Sequence, residues 1–399
     1  MATETRIFRP RERRGGNALK PFPLPEFLQK MHDRGKAELG KPFKGITTDE
    51  KPVAGLFPIA KTGVALGAVV DAAKAFVGCL SNEQRAAAMF DLDTGPWQAW
   101  HNMHVFMMRH GCLLHGLDDR QREAALALVR ASMSAAGFQT ARDVMKLNEH
   151  ICEITQRPGE YGEWYYWMSI MGTPSTTAPW GWQIDGHHLI VNCFVLGDQM
   201  VLTPNFMGSE PVEAKFGKYA GTRVFKEEED KGYALMSALN PTQQGKARIG
   251  MDLPFDVYAT AFNDNRVMPY EGIHYNDMNQ EQRERLLDLI GLYTGRVRPG
   301  HAEIRFAEVK RYIAETRFAW IGHCDEVNPF YYRVHNPVIL IEFDHQIGIA
   351  LDNDDPTRNH THTLVRTPNG NDYGKDLLRQ HYLQFDHSRP DSPHLRGKI

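Results

Sequence analysis

His360 and His362 stand two apart, the first just before and the second within the run Thr361-His-Thr-Leu-Val-Arg366. On a strand, residues two apart share a face, so both imidazoles project the same way and Arg366 follows them. A second apolar run, Val338 to Asp344, sets Glu342 and Asp344 on one face of a neighbouring predicted strand. If those strands pair, carboxylates and imidazoles converge across the ladder. A third group, His187 and His188, follows Trp180-Gly-Trp182 and Gly186 at the mouth of a predicted hairpin. Neighbours in a strand face opposite ways, so one imidazole is expected as ligand or base and the other as structure, unless Gly186 places both on a loop.

Such a constellation supplies what a divalent cation needs. Imidazole nitrogens suit zinc, iron or copper, and a carboxylate balances charge while leaving an open position. The expected ligand set is His188, His360, His362 and Glu342, with zinc first and iron, manganese or copper as alternatives. Asp344 or His187 would orient a ligand or act as general base, and Arg366 or Arg333 would hold a substrate anion or developing charge. Polar groups in apolar strands are costly unless compensated, which motivates the assignment. Hydrogen-bonded structural histidines fit the same pattern. Trp180, Trp182, Trp320 and Tyr332, with Asn192, suggest a pocket for an aromatic or carbohydrate-like small molecule, although core aromatics explain the same density. The reading is a metal-dependent hydrolase or lyase. Its rivals are a metal-free acid–base isomerase or lyase, a copper or iron oxidoreductase, and a non-catalytic small-molecule binder.

The elements that position these residues are legible in part. Leu189–Leu196, Gly197-Asp198 and Gln199–Thr203 read as a hairpin, and Val338–Asp344 and Thr361–Arg366 as two more strands. Four times a capping residue precedes a glutamine by three positions: Ser81 and Gln84, Asp118 and Gln121, Asn240 and Gln243, Asn279 and Gln282. This is the capping-box arrangement of a helix start. The recurrence fits an internal duplication or four independently capped helices. The expected fold class is α+β, a helical N-terminal part packed on a largely antiparallel mixed sheet. Residues 1–60 read as an extended or partly disordered arm, 65–385 as one domain (helical over 65–155, strand-rich over 160–385), and 386–399 as a tail.

Composition bounds the function. With a net charge of −3 over 399 residues, the chain lacks the basic field that grips nucleic acid. Its basic cluster, Arg6 to Arg14, reads as a solvated tail, and the acidic loop Asp352–Asp355 as a solvated turn rather than a calcium site. No apolar run is long enough to cross a membrane and no secretory signal is written at the start. Five scattered cysteines without a C-x-x-C pair fit reduced thiols and a cytoplasmic location. The expected partner is a small-molecule substrate, with no nucleic acid or membrane, and a homodimer is compatible.

Several segments together resemble one family. They are Trp180–Leu189 (WGWQIDGHHL) with Asn192, Pro204–Pro211 (PNFMGSEP), Phe318–Gly322 (FAWIG), Tyr331–Arg333, Leu340–Asp344 (LIEFD), His360–His362, and Asn371–Leu378 with His381 and Tyr382. Over residues 65–385 the chain resembles the bacterial and fungal domain of unknown function 3500. The resemblance implies that the Gly-His-His, Glu-Phe-Asp and His-x-His segments belong to one recurring architecture.

Overall fold

Each of the four cap-and-glutamine motifs opens a helix in the computed structural model, which describes residues 8–12 and 16–385. Arg6, Arg13, Arg14 and the tail at 386–399 lie outside the described residues. The chain runs α1 (Glu26–Leu39), α2 (Gly67–Cys79), α3 (Asn82–Ala88), β1 (Met89–Phe90), β2 (Cys112–Leu113), α4 (Asp119–Ser132) and α5 (Ala135–Thr155). Strands β3 (Tyr166–Met171), β4 (Trp180–Gly186), β5 (Leu189–Leu196), β6 (Gln199–Val201) and β7 (Asn205–Ser209) follow. The pattern then repeats: α6 (Lys226–Ala238), α7 (Pro241–Ala247), β8 (Arg248–Gly250), β9 (Ile273–His274), α8 (Gln280–Thr294) and α9 (His301–Arg311). It ends on β10 (Arg317–Gly322), β11 (Phe330–His335), β12 (Leu340–Gln346), β13 (Thr357–Arg366) and α10 (Lys375–Gln384).

The fold is α+β, with all these strands in one mixed sheet. Its main path is β1-β3-β4-β5-β7-β13-β12-β11-β10-β8. That order is a palindrome about β7 and β13, which pair antiparallel with Asn205 opposite Val365. At each end the same local device recurs. A short parallel strand (β1 on β3, β8 on β10) and a short antiparallel one (β2 on β3, β9 on β10) flank the outer strand. Gly111 before β2 and Gly272 before β9 share a left-handed backbone, φ 95° and 94°. The four caps therefore record a duplication. They interlock two by two, the side-chain amides of Gln121 and Gln84 bonding each other and those of Gln282 and Gln243 doing the same. Gln121 also donates to the Cys79 carbonyl and Gln282 to that of Ala238, stapling each capped helix to the end of the preceding long one.

One face of the sheet packs on helices from both halves, and its core includes Trp182, Val191, Trp320, Tyr332 and Ile341. The opposite face, with Ile190, Phe206, Leu340 and Leu364, lies under the segments before β2 and β9 and under residues from the first fifty. Helices of both halves pack on the sheet, those expected after the caps at Asn240 and Asn279 included. The first sixty residues are not merely extended: Glu26–Leu39 is helical, and Phe22, Leu28 and Phe43 pack on the second core. Nor is the basic start simply solvated, since Arg11 pairs with Asp354 and donates to the carbonyls of Gly348 and Asn353.

Gln282 is buried, so its replacement by Ala strands the Asn279 amide and the Ala238 carbonyl together. Gln282→Ala should lower stability by about 2 kcal/mol in urea unfolding, whereas exposed Gln280→Ala should stay within about 0.5 kcal/mol.

Candidate metal centre

β4 ends at Gly186 and β5 begins at Leu189, so His187 and His188 alone form the turn between them. His188 takes φ 60°, a conformation that costs a non-glycine residue on the order of 1 kcal/mol. It is held there by its own N–H on the Asn102 carbonyl and by the Gly208 N–H on its carbonyl. The turn brings both imidazoles to one side, stacked with centroids 3.9 Å apart.

The rest of the centre comes from the middle of the sheet. His360 and His362 project from β13 on one face, and Gly208 of β7 lies opposite His362 in the ladder. A Cβ on Gly208 would stand 2.7 Å from the His362 ring and 3.1 Å from that of His188. The missing side chain is thus the space into which the two rings close. The three Nε2 atoms then form a nearly equilateral triangle: His188 to His360 3.2 Å, His188 to His362 3.1 Å, His360 to His362 3.1 Å.

Their partners fix which nitrogen carries hydrogen. His360 Nδ1 lies 2.6 Å from the Ile347 carbonyl, and His362 Nδ1 lies 2.8 Å from Asp256 Oδ1. Both partners only accept, so Nδ1 donates in each ring and Nε2 presents a bare lone pair. Lone pairs about 3 Å apart in a buried site repel unless a cation lies among them. Metal–nitrogen bonds of about 2.0–2.1 Å imply N···N spacings of roughly 3.3 Å in a tetrahedral shell and roughly 3.0 Å across an octahedral face. The observed triangle falls between the two, so the residues present fit a first-row divalent ion. Asp256 on His362 is the carboxylate–histidine pairing that raises ligand basicity and fixes the ring.

Two acids stand beside the triangle. Glu210 Oε2 lies 3.8 Å from His360 Nδ1, and the Glu210 carboxyl oxygens accept the N–H groups of Ile349, Ala350 and Leu351. Burial pushes its carboxyl up to about 7. Asp344 sits directly across the ladder from His362, with Oδ1 buried and unpartnered. Burial, then Asp256 and Glu342, hold its carboxyl well above the usual range. Burial and mutual repulsion keep His188 and His360 well below the ordinary histidine range, so both stay in the neutral, ligating form. His187 donates from Nδ1 to Asn148 Oδ1, whose amide is oriented by its N–H on the Gly162 carbonyl.

The other expected residues lie elsewhere. Glu342 is not among the gathered donors: its carboxylate accepts from Tyr258 N, Ala259 N and Tyr331 Oη, pinning the segment before β9. Arg366 is spent on Asp264, Asp372 and the carbonyls of Ala259 and Thr260. Arg333 pairs with Glu271 on β11, away from the triangle. Trp180, Trp182, Trp320 and Tyr332 pack in the helix-side core, on the sheet face opposite His360 and His362, so they do not wall this centre. Asn192 links Gln183 to the Pro204 carbonyl inside the sheet. Asp256, Asn148 and Asn102 were not anticipated. Asp256 lies in a segment with no periodicity, and Asn148 is one of many polar positions on α5, so neither left a signal.

The match of a known family to residues 62–375 covers most of the chain. The chain belongs to the family described as protein of unknown function (DUF3500). No curated protein and no solved structure matches it. The DUF3500 region contains the whole histidine triangle and both halves of the sheet. No helix among the described residues is long and apolar enough to cross a membrane.

Because burial keeps His188 and His360 neutral to lower pH, protons compete with a bound cation for these two rings only below the range, near 6.5, where exposed imidazoles titrate. Elemental analysis after stepwise dialysis should therefore find the metal retained at pH 6 and released only on further acidification.

Proposed function

We propose that this chain is a metal-dependent hydrolase or lyase acting on a small organic substrate. The observation that carries the reading is the triangle of Nε2 atoms, with two of the three tautomers fixed by acceptors behind the rings. His188, His360 and His362 would hold the cation, and three protein ligands leave its remaining coordination positions to water or substrate. A bound divalent ion of this kind polarises a carbonyl oxygen or brings the pKa of a water to about 7. Zinc is the first choice for three imidazoles, with iron, manganese or copper as alternatives.

The chain's own residues supply the proton chemistry. His187, its Nδ1–H committed to Asn148, offers Nε2 as an acceptor beside His188. Asp344 keeps its proton at neutral pH through burial and the neighbouring carboxylates, so it is the group suited to donate. It stands within about 5.5 Å of His362 by cross-strand spacing. Five unpaired thiols support a reducing, cytoplasmic setting, and a small-molecule partner is preferred over nucleic acid or membrane.

Inductively coupled plasma mass spectrometry on untagged protein should find about one metal per chain. His360→Ala should remove the metal and, in a screen of esters, lactones and hydroxy acids, the activity with it. Asp256→Asn should weaken metal affinity about 10- to 100-fold while the fold persists. Full activity after strong chelation would shift the reading to acid–base catalysis by His187 and Asp344.

A further inference from the structure

The duplication makes each half a control for the other. In the first half, His110 Nε2 lies 2.7 Å from Gln183 Oε1. The matching positions of the second half hold Glu271 and Arg333, 2.6 Å apart. Register also matches Phe90, opposite Met171, with Gly250, opposite Ile321 beside a bulge. In the first half the Phe90 ring packs edge-on against His110, centroids 5.7 Å apart. In the second half no ring stands there, and a cavity of about 420 Å³ opens between Gly250, Tyr258, Arg266, Glu271 and Arg333.

That cavity is furnished for a ligand. Arg333 is 3% exposed, and its Nε–H is buried without a partner, although a buried donor left unmade costs about 1–3 kcal/mol. Arg266 lies over the Tyr258 ring, 5.2 Å from its centroid, and shares the same wall. Met251 and Val267, which line the cavity, are 45% and 39% exposed. Glu271 already pairs with Arg333 and Asp252 shares the lining, so the unpartnered Arg333 Nε–H and Arg266 are the donors left for an acidic head, and the apolar rim suits an apolar body.

We propose that this cleft is a second small-molecule site, which binds an organic carboxylate through Arg333 and Arg266 with its apolar part against Tyr258 and the rim. It is separate from the histidine centre: β11 lies two strands from β13, about 10 Å away across the sheet. The assignment stands whether or not a metal binds the triangle.

Phenylacetate and its neutral isostere phenylacetamide, titrated by calorimetry into the full-length protein, test the site. Phenylacetate should bind saturably, and the amide roughly tenfold more weakly or worse. Gly250→Phe refills the space as Phe90 does, and a Cβ there meets only Ile321 side-chain carbons at 3.6 and 3.9 Å. This variant should lose roughly tenfold or more of the affinity with its metal content unchanged. Arg333→Gln, which installs the first half's residue, should do the same. Absence of saturable binding to roughly 5 mM, equal binding of acid and amide, or undiminished binding by Gly250→Phe would each overturn the proposal.

Discussion

The ladder between β7 and β13 is the contact on which the rest of this structure depends. It joins the two halves of the duplicated sheet, and it sets Gly208 against His362 while β5, next along, delivers His188 to the other side of the same glycine. Neither half has the triangle alone. One contributes a turn histidine and a glycine, the other two histidines of a single strand. The register slip of one residue that would spoil the core would also turn both strand histidines to the wrong face, so the forces that bury Phe206 and Leu364 hold the centre as well.

Duplication explains why polar residues stand at matching places inside the two halves of the sheet. Gln183 and Arg333 occupy equivalent places, as do Asn192 and Glu342 by their register on β4–β5 and β11–β12. In the first half Asn192 bonds the Pro204 carbonyl, and in the second Glu342 gathers two backbone N–H groups and a tyrosine hydroxyl. Each satisfies backbone groups inside the sheet. Arg366 is likewise structural, a buried cation between Asp264 and Asp372 that ties β13 to two loops.

Much of this was readable from residue order, and the reasons for the misses are physical. Strand alternation put His360 and His362 on one face, and cap spacing located four helix starts, because both signals are local. Alternation also placed Glu342 and Asp344 on the histidine face, which is true of their direction; what it cannot supply is the backbone of residues 258 and 259 arriving to claim Glu342. The turn at His187-His188 defeated the strand rule, since two residues in a tight turn face one way. Asp256 left no trace, as a lone acid in an irregular segment is defined only by what it touches. The aromatics were read as a pocket because density alone does not say which side of a sheet is dry.

The segment from Ile347 to Asn353 carries the carbonyl that orients His360 and is clasped from two directions, by Glu210 on one side and by Arg9 and Arg11 on the other. Residues from the first dozen positions of the chain thus finish a structure whose last ligand emerges some three hundred and fifty residues later. On the ribosome, Arg9 and Arg11 must wait until residues 348–353 are made before their seat exists. Completion of the histidine triangle is in that sense a late event in the life of the chain, and a nascent fragment that stops short of β13 has two of the three imidazoles still to come.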